Sequence, residues 1–176
     1  HLEPLDEVEF RFQTLVERFQ MMAFLNRGLE IRVRDLRENG RSTVAPPADA
    51  TESDSDDGDN TPWVTFKYDG GIIDFVSHVN ASKDALFSTV GYFAGEEEID
   101  DNPHEVEIAF QWNTGFNSDG LHSFANGIAT LEGGMHEQGF RTAVTRTVNA
   151  YARDKGLLKE KDDNLTGEDI REGLTA

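Results

Sequence analysis

The chain has 176 residues, with 34 acidic and 16 basic side chains and a formal net charge of −18. This length suits about one domain or slightly more, and the acidity argues against a surface that binds nucleic acid everywhere, because phosphate needs local positive charge. The sequence has no cysteine, which excludes disulfides and thiolate metal sites. It shows no signal peptide and no apolar run near the roughly 20 residues that a membrane span needs. We therefore expect a cytoplasmic protein with no membrane partner.

The first predicted element is a helix that starts at residue 10. Its apolar side chains recur at helical spacing, namely Phe12, Leu15, Val16, Phe19, Met22 and Leu25. Residues 26–28 end it, and we expect positive φ at Gly28, because a glycine just past a helix adopts a left-handed cap without steric cost. Alternation over residues 29–34 predicts a half-buried strand, and residues 63–68 are its predicted hairpin partner.

Residues 37–61 separate these two strands and are rich in Pro, Ser, Asp and Gly. Such a composition cannot bury enough apolar surface to offset the entropy lost on ordering. We therefore predict a disordered acidic insertion, with residues 40–61 dispensable for folding. DNA mimicry and cation binding are alternative roles, but a solvated loop is favoured on composition.

The middle of the chain predicts short elements. A turn at residues 69–71 precedes a helix over 72–80. Strands are predicted over 86–93, 105–112 and 121–128, with a second acidic loop at 96–101 and a turn cluster at 113–120. Near the end, Thr166 followed by Asp169 approximates a capping box for a helix over residues 167–174.

The longest predicted helix follows Gly133 and Gly134 and runs to residue 155. Phe140, Val144, Val148 and Tyr151 form its apolar stripe. At about 100° per residue, Arg146 and Arg153 fall roughly 20° apart on the opposite face, with Asn149 beside them. Arg141 lies at the edge of the stripe. The pattern is typical of a surface helix with solvated arginines, and it also suits a helix that contacts an anion.

The sequence contains no motif that indicates a catalytic, cofactor-binding or metal-binding site. The position four residues after His136 is Phe140, so the zinc-protease pattern fails. His78, His104 and His122 lack ligand spacing, and no P-loop or nucleophile-elbow pattern occurs. The prediction is therefore that this chain has no catalytic, cofactor-binding or metal-binding residue of its own.

Several runs resemble the B subunit of bacterial DNA gyrase. EGGMHEQGFRTAVTRTVNAYA, VEIAFQWN and NLTGEDIREGL resemble its transducer domain, and FQMMAFLNRGLEIRVRD resembles the last helix and next strand of its GHKL-type ATP-binding domain. YDGGIIDFVSHVN resembles the junction of the two. The matches cover most of the chain. Met135 stands where the family usually has threonine, so a hydrogen bond from that hydroxyl is not expected here.

The resemblance implies an α+β fold in two parts. Residues 1–36 would be the end of the ATP-binding sandwich, 37–61 the insertion, and 62–71 the returning strand and junction. Residues 72–176 would be a transducer domain truncated at its C-terminal side, with a mixed sheet, a left-handed βαβ crossover and packed helices.

The resemblance also implies a function. The chain would be part of the ATP-hydrolysing B subunit of a type IIA DNA topoisomerase, relaying nucleotide state to the DNA gate and lining the cavity for the transported duplex. Arg141 would face that cavity, with Arg146 and Arg153 as weaker candidates.

Partners and cofactors follow in the same way. Duplex DNA, the gyrase A subunit and a second copy of the B subunit, joined through the ATPase domain, are the implied partners. ATP and Mg²⁺ would serve the full subunit, whose nucleotide-binding motifs are not in this stretch, so we expect this chain alone to be inactive. The B subunit of topoisomerase IV remains an alternative, as does a non-catalytic interaction module with no DNA role.

Overall fold

A computed structural model describes residues 11–37, 50–53, 62–115 and 120–176. The chain divides into two compact units, His1–Asp74 and Phe75–Ala176, and the boundary falls inside helix α2 (Ile72–Val79). The predicted boundary at residues 71/72 lies close by, and the assignment of the units to domains stays a prediction. None of the helices in the described residues is long and apolar enough to cross a membrane.

The first unit packs one helix on a three-stranded antiparallel sheet. Helix α1 spans Phe12–Leu25, and strands β1 (Glu30–Val33), β2 (Thr51–Ser53) and β3 (Trp63–Lys67) have the order β1-β3-β2. The predicted hairpin is confirmed by pairing of β1 with β3. The buried core side chains are Val16, Ala23, Phe24, Val64, Phe66 and Tyr68.

Gly28 has a φ of +76°, which confirms the predicted positive value. The structural reason is a β-turn, because the Leu29 amide donates to the Asn26 carbonyl at 2.9 Å and Gly28 is the third residue of that turn. A Cβ at Gly28 would have only Asp69 Oδ1 nearby, at 3.8 Å. The requirement for glycine therefore comes from the backbone and not from crowding.

Strand β2 corrects the predicted insertion. Thr51 and Ser53 pair in antiparallel register with Thr65 and Trp63 of β3, so the prediction of disorder is wrong for Thr51–Ser53. The physical reason is that the second edge of β3 offers backbone donors and acceptors, which pair with any extended segment whatever its side-chain composition. Residues 38–49 and 54–61 of the predicted insertion lie outside the described part of the chain.

The second unit contains a long β-hairpin. Strand β4 (Gly91–Ile99) pairs along its whole length with residues 102–110 of β5 (Asn102–Trp112). Both the predicted strand over 86–93 and the predicted acidic loop over 96–101 are therefore wrong in their bounds. Asp100 and Asp101, with φ of 51° and 59°, make the two-residue turn. Aspartate tolerates this left-handed region better than most residues, and cross-strand pairing therefore extends through the acidic residues.

A second tight turn divides the strand predicted over residues 121–128. Strands β6 (Phe124–Ala125) and β7 (Ile128–Ala129) pair around Asn126 and Gly127, which have φ of 49° and 78°. Asn-Gly is the preferred sequence for this two-residue turn. The prediction of a single strand was therefore wrong, although the dipeptide indicated the turn.

The end of the chain returns to the hairpin. Helix α3 spans Met135–Asp154, helix α4 spans Gly167–Arg171, and strand β8 (Leu174–Thr175) pairs antiparallel with β5. The predicted capping box is confirmed at Thr166 and Asp169. Helix α4 ends earlier than predicted, because Gly173 has a φ of +70° and Leu174 has already joined the sheet.

The side chains of α3 differ from the predicted stripe. Tyr151 is 60% exposed, whereas Asn149 and Ala152 are buried. The placement of Asn149 on the solvent face was therefore wrong, because its amide hydrogen-bonds with the backbone of Leu165. Periodicity counts an asparagine as polar and cannot anticipate such a partner.

The predicted mixed sheet is not found among the described residues. Every strand pair there is antiparallel, and the larger sheet of the second unit has the order β4-β5-β8. A βαβ crossover joins parallel strands, so the left-handed crossover stays a prediction.

A buried amide network joins the residue that follows α2 to the end of β5 and to β8. The Asn80 amide donates to Gln111 Oε1 at 2.9 Å, and its Oδ1 accepts from Thr175 Oγ1 at 2.7 Å and from Asn113 Nδ2 at 3.3 Å. All four side chains are at most 7% exposed. Since each polar group finds a partner from a distant part of the chain, burial does not leave these groups unsatisfied.

Candidate functional site

A groove of about 820 Å³ runs along α3 and the segment that leads into α4. Four arginines line it, namely Arg141, Arg146, Arg153 and Arg171, and uncharged polar side chains lie between them. The lining residues in the described part of the chain include no aspartate or glutamate. The groove is therefore locally positive in a chain whose formal net charge is −18.

Asn149 joins the two walls of the groove. Its amide donates to the Leu165 carbonyl at 2.9 Å, and its Oδ1 accepts from the Leu165 amide at 2.8 Å. The paired hydrogen bonds fix the segment before α4 against the middle of α3. The same contact places Arg171, which lies in the last turn of α4, beside the arginines of α3.

Arg141 is partly occupied by an ion pair. Its Nε and Nη2 atoms contact Glu137 Oε1 at 2.9 and 2.7 Å, one helical turn away, and its side chain is 31% exposed. Ser123 Oγ donates to the other oxygen of Glu137 at 2.7 Å. These hydrogen bonds, from Ser123 first and then from Arg141, hold the pKa of the Glu137 carboxyl below its ordinary value.

Arg153 is largely occupied by the loop that follows α3. Its guanidinium donates to Asn164 Oδ1 at 3.0 and 2.6 Å, to the Lys159 carbonyl at 3.0 Å and to the Asp162 carbonyl at 2.9 Å. Four of the five N–H donors of arginine are therefore used inside the protein. The contacts give Arg153 a structural role in ordering residues 159–164.

Arg146 and Arg171 differ from the other two arginines. Within the described ranges, neither guanidinium has a hydrogen bond or an ion pair. Arg146 is exposed and Arg171 is half-buried. Their donors are consequently available to an acceptor that enters from solvent, and a phosphate or carboxylate fits the planar arginine fork.

The three arginines proposed from the sequence therefore lie on one groove, whereas helical geometry alone placed Arg141 apart from the other two. Sequence reasoning missed Arg171, because its place depends on the contact of Asn149 with Leu165, which no local pattern reports.

At the start of α3, Met135 is 88% exposed, and the N-cap residue is Gly134, which has no side chain to form a capping hydrogen bond.

Comparison with known protein families identifies the family of this chain. The family model described as DNA gyrase B matches residues 71–176, which include β4, β5 and the whole groove. The chain belongs to the DNA gyrase B family. It is 48% identical over 171 residues to the gyrase B protein of Streptomyces coelicolor and 46% identical over 181 residues to that of Mycobacterium tuberculosis.

Each of these matches covers 97% of this chain. The chain spans about a quarter of the length of these curated relatives, 24% and 26% respectively.

Solved structures of gyrase B agree with the fold. A crystal structure of the 43K ATPase domain of Thermus thermophilus gyrase B in complex with an aminocoumarin has a TM-score of 0.70 at 26% identity, covering 96% of this chain and 39% of that one. The gyrase B protein of Myxococcus xanthus has a TM-score of 0.66 at 21% identity, covering 97% and 40%. The mixture of helices and sheets is therefore that of the gyrase B structures.

Proposed function

We propose that this chain is part of the B subunit of DNA gyrase, a type IIA topoisomerase that uses ATP to pass one DNA duplex through another. Within that subunit, the second unit relays nucleotide state to the DNA gate and lines the cavity for the transported duplex. The family match over residues 71–176 supports the assignment. The whole enzyme would need the gyrase A subunit and a second copy of the B subunit.

The observation that carries the DNA role is the four-arginine groove. Duplex DNA presents about one negative charge per 1.7 Å of its axis, and its binding requires local cations in a protein of any net charge. Arg146 offers a guanidinium that has no partner among the described residues. Arg141 contacts DNA after exchanging Glu137 for a phosphate, and Arg153 contributes mainly its charge.

ATP and Mg²⁺ belong to other parts of the full subunit in this proposal. No group of three or more Asp, Glu or His side chains in the described ranges is arranged to hold a metal ion. The first unit is the end of the ATP-binding domain, and the second is a transducer whose crossover is left-handed.

Arg146→Gln in the full-length protein tests the DNA role. Since each phosphate contact releases counterions, we expect the slope of log K against log salt for duplex DNA to fall by about one unit. Arg18→Gln, which removes the same charge from an exposed position on α1, should leave the slope at the wild-type value. Equal slopes in all three proteins would contradict the proposal and would favour an interaction module without a DNA role.

A second assay separates gyrase from topoisomerase IV. The full-length protein with its gyrase A partner should supercoil relaxed plasmid in the presence of ATP. Decatenation without supercoiling would contradict the gyrase assignment and leave the topoisomerase class in place.

A further inference from the structure

The groove has a second wall that carries its own arginine. Arg171 lies on α4, and a Cβ built on Gly167 would come within 2.6 Å of Arg171 Nη1 and 3.1 Å of Thr145 Oγ1. The guanidinium of Arg171 therefore lies over the start of its own helix and beside α3. Glycine at position 167 leaves the space that this conformation needs.

The acidic neighbours of Arg171 do not neutralise it. Glu168 and Glu172 are on and next to the same short helix, yet neither forms an ion pair with Arg171 in the described part of the chain. Thr145 Oγ1 donates to the Arg141 carbonyl at 2.8 Å and accepts no hydrogen bond from Arg171 in the described ranges. Arg171 is half-buried, and its guanidinium donors, with no acceptor in the described part of the chain, are available to an anion that enters the groove.

We infer that Arg171 and Arg146, from the two walls of the groove, together bind the phosphate backbone of duplex DNA. The inference rests on the proposed function and adds α4 to the DNA-binding surface. Two guanidiniums that approach one backbone segment from different helices fix its position as well as its charge, because each fork binds phosphate oxygens in a defined geometry.

The contact between α3 and the segment before α4 makes this arrangement rigid. Asn149 and Leu165 exchange two hydrogen bonds, and the Thr166 capping box fixes the first turn of α4. The backbone at the start of α4 is therefore fixed beside α3, and Arg171 projects from it.

The test uses Arg171→Gln, Arg171→Lys and Gly167→Ala in the full-length protein, with duplex DNA titrated from about 50 to 200 mM salt. Arg171→Gln should lower the salt slope by about one unit and the affinity by about tenfold. Arg171→Lys keeps the charge and should retain the slope. Gly167→Ala keeps the charge but displaces the guanidinium, and its affinity should fall between those of the wild type and Arg171→Gln.

The outcomes separate the two claims. Wild-type slope and affinity in Arg171→Gln would overturn the inference, and the proposed function would stand if Arg146→Gln still lowered the slope. Should Arg171→Gln fail to fold, as judged by its thermal midpoint, wild-type affinity in Gly167→Ala would overturn the inference instead. Inorganic tripolyphosphate bound tightly by the wild type and lost in Arg171→Gln, with DNA binding unchanged, would overturn duplex DNA as the ligand.

Discussion

The second unit contains two polar regions with opposite hydrogen-bonding states. In the amide network of Asn80, Gln111, Asn113 and Thr175, side chains bind one another across long sequence separations and are buried. In the groove, Arg146 and Arg171 form no hydrogen bond or ion pair with any residue that the structure describes. Polar residues that satisfy one another hold the fold, whereas cations without acceptors at an open surface are available to a ligand. Arg141 and Arg153 lie between these extremes.

The largest predicted effect is on the network. Asn80→Ala removes an acceptor of two hydrogen bonds and the donor to Gln111. Leaving these buried groups unsatisfied should lower the free energy of unfolding by about 2–4 kcal/mol. Urea unfolding of the 176-residue chain measures it. Asn102→Ala, at an exposed site with one local hydrogen bond, should cost less than about 0.5 kcal/mol. Similar midpoints for both variants would show that the network is not structural.

A substitution that removes no polar partner calibrates this comparison. Gly28→Ala adds a methyl group that only touches Asp69 Oδ1, at an ordinary van der Waals distance of 3.8 Å and a φ of +76°, so backbone strain should account for a cost of about 1 kcal/mol or more. Gly139→Ala meets no atom within 4 Å on α3 and should stabilise the chain by up to about 1 kcal/mol. An unchanged denaturant midpoint for Gly28→Ala would refute the role assigned to that turn.

The intermediate case of Arg141 gives a smaller effect. Glu137→Gln removes the charge that pairs with Arg141, so Arg141 exchanges more easily to a DNA phosphate. The DNA affinity of the full-length protein should therefore rise about two- to fivefold, equivalent to less than about 1 kcal/mol. A fall in affinity would indicate that Glu137 positions Arg141 for DNA. Ser123→Ala, which removes the other hydrogen bond to Glu137, is the control for general loosening of the site and should leave the Arg141 pair in place.

The same carboxyl predicts a dependence of stability on pH. Since the folded-state pKa of Glu137 is depressed, its stabilisation is present above the pKa of a free glutamate, about 4.3, and is lost as the pH falls through the lower folded-state value. Glu137→Gln should therefore flatten the decline of stability below about pH 4.3. Parallel acid-unfolding curves for the two proteins would show that the pair is not coupled to folding.

Most elements that depend on interactions between residues close in sequence were predicted correctly. Helices α1 to α4, the β1–β3 hairpin, the positive φ of Gly28 and the capping box at Thr166 all follow from periodicity, glycine conformation or capping chemistry. Strand β2 was missed because it depends on pairing with β3, at least ten residues further along the chain. The hairpins β4–β5 and β6–β7 are local, and they were missed because their two-residue turns, Asp100-Asp101 and Asn126-Gly127, were not recognised as turns between paired strands. Arg171 was missed for the same reason as β2, since only the contact of Asn149 with Leu165 places it on the groove.

If the arginine groove of α3 faces DNA, site-specific crosslinking from its wall should capture the duplex. Thr142 and Thr147 are both exposed on α3, but only Thr142 lines the groove. In the full-length protein, the photoreactive amino acid p-benzoylphenylalanine replaces each in turn and leaves every arginine in place, and the protein is irradiated with duplex DNA and a non-hydrolysable ATP analogue. We expect DNA to be crosslinked from position 142 and not from position 147. Equal yields, or crosslinking from position 147 alone, would contradict it.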